Sequence, residues 1–104
     1  MSKSEVIKFL ITLVEESIDT NTRIESIHVI CDLNLKSTEL FRILEKCLIS
    51  DESVEVRAAA AICIMKNFID QGLEALKWAI KYDNSVTMVK TLRNLKSILE
   101  QEFS

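Results

Sequence analysis

The chain has 104 residues, a net charge of −3, one glycine and no proline. Its length gives a single domain with a modest core, and the near absence of Gly and Pro excludes a turn-rich all-β fold. Hydrophobic residues make up 48% and charged residues 28% of the chain, which excludes a disordered linker.

The acidic balance supplies no global field for nucleic acid or an anionic membrane. The charge is uneven: residues 1–50 hold eight acids and six bases, and residues 71–104 hold four acids and five bases. Cys31, Cys47 and Cys63 form no CxxC pair. Their odd number and apolar neighbours are expected of reduced, buried thiols in a cytoplasmic protein. The opening MSKSEVIKFLITLVEES is broken by Lys8 and Thr12 and lacks a small-residue cleavage site, so a signal peptide is not expected. No stretch reaches the ~18 uninterrupted apolar residues of a membrane span.

Apolar periodicity and caps predict six helices. The first covers 4–18 with Ser4 as N-cap, and the second 21–33. The third runs from Ser37 to 49, and the fourth from Asp51 or Ser53 to 69. The fifth follows Asp70 as N-cap and ends at 82. The sixth covers 84–101. Ser and Asp recur at helix starts because their side chains accept from free N–H groups of the first turn. The joints are short, so successive helices are expected to pack as antiparallel hairpins over 4–33, 37–69 and 70–101.

In the first helix Val6, Ile7, Phe9, Leu10, Ile11, Leu13, Val14 and Ile18 span an arc of about 200°, wider than an ordinary stripe. Such a helix is either tucked deeply or meets another chain. The fourth, SVEVRAAAAICIMKNFI, is apolar nearly all round and is expected at the centre. In the sixth, Val86, Val89, Leu92, Leu95, Ile98 and Leu99 share one face. Lys90, Arg93, Asn94, Ser97 and Gln101 share the other, as a capping helix requires.

A 32-residue shift lays Phe41 on Leu73, Leu44 on Leu76 and Leu48 on Ile80. It lays Asp51, Ser53 and Val54 on Asp83, Ser85 and Val86, and a further shift brings Asp51 onto Asp19. A period in the low thirties with two helices per period marks a helical repeat array. The stretch DESVEVRAAAAICIM at 51–65 resembles the D-x-x-x-x-V-R-x-x-A-A-x-x-L signature of HEAT-like repeats, in their short form. Asp51, Val56, Arg57, Ala60, Ala61 and Ile64 fall on the pattern. TRIESIHVI at 22–30 resembles it more weakly through Arg23, Ser26, Ile27 and Ile30. A third copy keeps Asp83 but has Val89 and Lys90 near the Val-Arg step. The resemblance implies an all-α fold, three hairpins stacked as a short right-handed α-solenoid. It also implies protein binding on a concave face lined by the second helix of each hairpin. It carries no catalytic residue, cofactor or metal to this chain.

His28, Cys31 and Asp32 lie at i, i+3 and i+4 and share a helix side. An ordinary helix side is favoured over a metal site, since structural zinc takes four ligands. No Gly-rich phosphate loop or nucleophile elbow is present, and the adjacent Glu15 and Glu16 point apart. Arg23, Arg57 and Lys90, near Asp19, Asp51 and Asp83, can be read as a binding ladder, but the favoured expectation is that each cation ties a helix start to the neighbouring turn and fixes repeat register.

Trp78 lies about 160° from Ile80 around the fifth helix. With Leu73, Leu76 and Ile80 on the core side, it is either an exposed anchor or packed on the terminal helix or the Lys81 stem. Lys46 takes its place one repeat earlier. Trp78, Glu74, Lys77 and Lys81, with Glu39, Arg42, Glu45 and Lys46, outline the expected concave surface. The expectation is therefore a non-enzymatic, cytoplasmic adaptor or small regulatory subunit, without cofactor, binding another protein. The alternatives are self-association through helix 4–18 and weak nucleic-acid binding along Lys77, Lys81, Lys90, Arg93 and Lys96. Interleaved acids and the net negative charge disfavour the second.

Overall fold

Six stretches combine apolar periodicity with a polar residue at or before their first turn, and each forms a helix. In the computed structural model these are α1 (Lys3–Glu16), α2 (Thr20–Leu33), α3 (Thr38–Ser50), α4 (Val54–Asn67), α5 (Ile69–Tyr82) and α6 (Val86–Phe103). The structure describes residues 1–103. The side chains at 99, 102 and 103 lie outside the described set, so the placement expected of Leu99 does too. Among the described residues there is no strand.

The caps explain most of the boundaries. Ser2, not Ser4, opens α1. Its hydroxyl accepts from the Glu5 N–H, and the Glu5 carboxylate accepts from the Ser2 N–H in return. Ser37 and Ser53 accept from the N–H groups of Leu40 and Val56. Asp70 does not cap α5. The single residue Phe68 joins α4 to α5, and Asp70 sits in the first turn. There its charge favours the helix start through the dipole. Asn34 ends α2 with φ of 50°, a left-handed conformation that Asn tolerates better than most residues.

Odd-numbered helices neighbour one another in chain order, as do even-numbered ones, and α1–α2, α3–α4 and α5–α6 pack as pairs. The molecule is elongated, 44 × 25 × 17 Å. α4 touches α2, α3, α5 and α6, as its all-round apolar surface requires. Val56, Ala58 to Ala61, Cys63 and Ile64 are buried. Alanines let neighbouring helices approach closely, and Gly72 on α5 extends this. A Cβ built there would collide with Cγ2 of the buried Ile64 and stand 3.2 Å from the Phe41 ring.

Two arginines lock the stack. The Arg23 guanidinium grips both oxygens of Asp51, with Nη1 3.3 Å from Oδ1, and its Nε donates to the Val14 carbonyl at 2.9 Å. Arg57 repeats this one hairpin later. Its Nε donates to Asp83 at 2.7 Å and its Nη1 to the Asp51 carbonyl at 2.9 Å. Each arginine thus ties the end of its own first helix to the joint of the next hairpin. Asp51 and Asp83 are held in turn by the N–H groups of Ser53 and Ser85. This fulfils the register role expected of the cations, with two corrections. Asp19 is itself the N-cap residue of α2, so Ser17, two residues earlier, occupies the place of Asp51. In α6 the place of Arg57 is taken by Val89, four residues past Ser85, while Lys90 is exposed. The other edge of the stack is closed by Lys36, which donates to the Asn67 carbonyl at 2.7 Å, and by Asn67, which donates to the Cys31 carbonyl at 2.9 Å.

Three apolar faces differ from expectation. On α1 only Ile7, Leu10 and Val14 are buried. Phe9 is 54% exposed, and Ile18 lies beyond the helix end in full solvent. On α5 the buried stripe is Gly72, Ala75, Leu76 and Ala79, with Leu73 and Ile80 only half-buried. On α6 Met88, Leu92 and Leu95 face the core, whereas Val86, Val89 and Ile98 are exposed. In each case the packing partners rotate the helix within an apolar arc broader than the face they cover.

Candidate functional site

Trp78 is 40% exposed, and Tyr82, one turn later, is 57% exposed. Their ring centroids lie 5.3 Å apart at 44°. Trp78 therefore packs beside Tyr82. The Lys81 ammonium stands 5.2 Å from the Tyr82 ring centre, within cation–π range. Glu74 and Lys77 pair on the same helix at 3.6 Å, an exposed bridge that orients more than it stabilises. The result is an aromatic step about one turn long, edged by two lysines and a glutamate. Tyr82 escaped the sequence reading. Its signal was the i, i+4 spacing from Trp78, which places both on one side of a helix.

The residues expected on α3 meet α1. Lys46 reaches Glu15 of α1 at 3.5 Å. Arg42 and Lys46 line a shallow groove between α1 and α3 with Glu39, Ile11 and Ile43. Glu45 is half-buried on the same helix. The candidate residues thus form two sets, one on the α1–α3 seam and one on α5. All belong to first helices of the hairpins, whereas the family resemblance assigns binding to second helices.

A third feature lies between α2 and α4. Cys31, half-buried, and Cys63, buried, approach across the helix pair beside His28, Asp32 and Lys66. Burial, followed by the hydrogen bond to Cys31, pushes the Cys63 thiol far up. Burial, with the nearby Asp51 charge, raises Cys47 to about 11. Protonated thiols at neutral pH are poor nucleophiles. His28 is exposed and 3.9 Å from Glu25. Among the described residues no three His, Cys, Asp or Glu side chains converge as a metal site.

At the rungs, burial opposes ionisation of Asp83, but hydrogen bonds from Arg57 and Ser85 outweigh it and hold the carboxyl below its ordinary value. The hydrogen bond to Asp51 raises Arg23. These groups are consumed by one another, which makes them structural. No described helix is long and apolar enough to cross a membrane. Compared with known proteins, the chain matches no family model, no curated sequence and no solved structure.

Proposed function

We propose that the chain is a non-catalytic protein-binding module, an adaptor or small regulatory subunit of the cytoplasm. In this reading its three hairpins form a short right-handed solenoid of HEAT-like repeats. The observation that carries it is the Trp78–Tyr82 step. Two large aromatic side chains, each at least 40% exposed, flank the stripe of Gly72, Ala75, Leu76 and Ala79 that fixes their helix in the core. Aromatic anchors on rigid elements are what protein interfaces use, because few rotamers are lost when they are covered. Lys77, Lys81 and Glu74 would set the partner's orientation through their charges. Arg42, Glu45 and Lys46 would extend the contact only if a partner spans from α5 toward the α1–α3 seam. Three unpaired cysteines suit a reducing compartment.

The test is capture of partners from source-cell lysate by wild type, Trp78→Ala and Tyr82→Ala, followed by crosslinking to place the contact. The reading expects a partner retained by wild type, lost by both variants, and crosslinked through Lys77 or Lys81. Equal retention by all three proteins would remove the aromatic step as the interface.

A further inference from the structure

The two ends of the stack carry uncovered copies of surfaces that are used inside it. Between the central and last hairpins, α4 offers Arg57 and Ile64 to its successor, with the buried Ala60 and Ala61 on the turns between them. Arg57 binds Asp83, and Ile64 packs at Gly72. Counted from the helix starts at Ser53 and Ser85, the corresponding residues of α6 are Val89, Leu92, Arg93 and Lys96. These four, with Ile80 and Asp83, line an open groove of about 340 Å³ between α5 and α6, and Val89 is 47% exposed.

The opposite end mirrors this. α4 meets α2 through Ala59 and Cys63. Counted from Asp19 and Ser53, their counterparts on α2 are Glu25 and Val29. Glu25 and Val29 line a groove of about 550 Å³ between α1 and α2 with Val6, Phe9, Leu13 and Asp19. One end is therefore apolar with carboxylates, and the other is apolar with Arg93 and Lys96. The remaining acid there, Asp83, is already bound to Arg57.

We propose that these ends receive each other: a second copy of the chain seats its α1–α2 face on the α5–α6 face of the first. Phe9 and Val29 of one copy cover Val89 and Leu92 of the next, and Asp19 and Glu25 approach Arg93 and Lys96. The occupant is a second copy because the charges lining the two grooves are complementary, Asp19 and Glu25 at one and Arg93 and Lys96 at the other. The fit repeats the hairpin-on-hairpin stacking already present. The contact is head-to-tail, so each pair keeps one free face of each kind and can take a further copy. It uses a surface separate from the Trp78–Tyr82 step.

The experiment is light scattering of the whole chain across a concentration series, with Phe9→Asp, Val89→Asp and their equimolar mixture. Wild type is expected to gain mass steadily past the dimer, and less so at high salt. Each variant alone should stay monomeric, because one of its two faces is spoiled. The mixture should double the monomer mass and stop there, since one good face remains on each. Glu25→Lys mixed with Lys96→Glu should associate more tightly than either alone, a check that leaves the apolar residues intact. A monomeric wild type at every concentration overturns the proposal. So does association of Val89→Asp at wild-type strength, which would mean that α1 pairs with α1. So does a mixture that stays monomeric while wild type associates. Trp78→Ala should associate like wild type, so failure here and failure of the adaptor reading give different results.

Discussion

The central hairpin and the two outer ones follow one pattern but treat it differently. In the centre every position of the pattern is occupied and used. Asp51 takes Arg23, Arg57 takes Asp83, and Ala58 to Ala61 are buried among four neighbouring helices. At the ends the polar members of the rung are missing, with Ser17 where an aspartate would stand and Val89 where an arginine would. Phe9, Val86, Val89 and Ile98 remain in solvent. The comparison shows that ion pairs set register between hairpins, whereas the outer faces offer apolar surface with unmatched charge around it. A fixed centre and contact-ready ends suit a protein that works by touching others.

The sharpest way to break the difference is to hollow the centre. Ile64→Ala removes a fully buried side chain at the crossing of α4 and α5. It is expected to cost about 3–4 kcal/mol in urea unfolding. Arg57→Ala follows. It leaves the nearly buried Asp83 without its cation and should cost about 2–3 kcal/mol. The same rung predicts a pH signature. The folded-state value of Asp83 lies below the ordinary 3.8, so its stabilisation is complete above that value. It is lost as pH falls through the lower, folded-state value. Arg57→Ala should therefore flatten the acid limb of stability between those two values.

Gly72→Ala ranks third and tests sign. Helix propensity alone would favour alanine by about 1 kcal/mol. The collision with Ile64 should reverse this and leave a net loss of about 1–2 kcal/mol. A stabilised variant would show that α4 and α5 have room to separate. The smallest effect belongs to Trp78→Ala, expected at about 1 kcal/mol, because the residue is 40% exposed. A larger loss would place Trp78 in the fold rather than on the contact surface.

Much of the fold was legible because its signals are local. Ser37, Ser53 and Ser85 mark starts through their own hydroxyls, and the lack of a polar face on α4 identifies the centre. Rotation of the outer helices was less legible. Ala75 and Ala79 weigh little in an apolar pattern, yet they fill the seam. Met88, absent from the expected α6 face, is fully buried while Val86 is not. Which apolar residues are covered depends on the partner helix, which no local signal specifies. Asp19 misled for another reason. A 32-residue shift matches letters, but the α1–α2 joint reaches its N-cap two residues early, so the same letter does a different job. The candidate site was half legible: Trp78 stood out as the single tryptophan and Tyr82 stands one turn from it, but the engagement of Lys46 with Glu15 on α1 emerges only from packing.

The most direct measurement is native-state hydrogen exchange of the dilute chain, followed helix by helix. The α4 amides are expected to exchange only through global unfolding. The last turns of α6 and the exposed side of α1 should open at markedly lower free energy. Uniform protection across all six helices, or protection greatest in α1 or α6, would contradict a fixed centre carrying contact-ready ends.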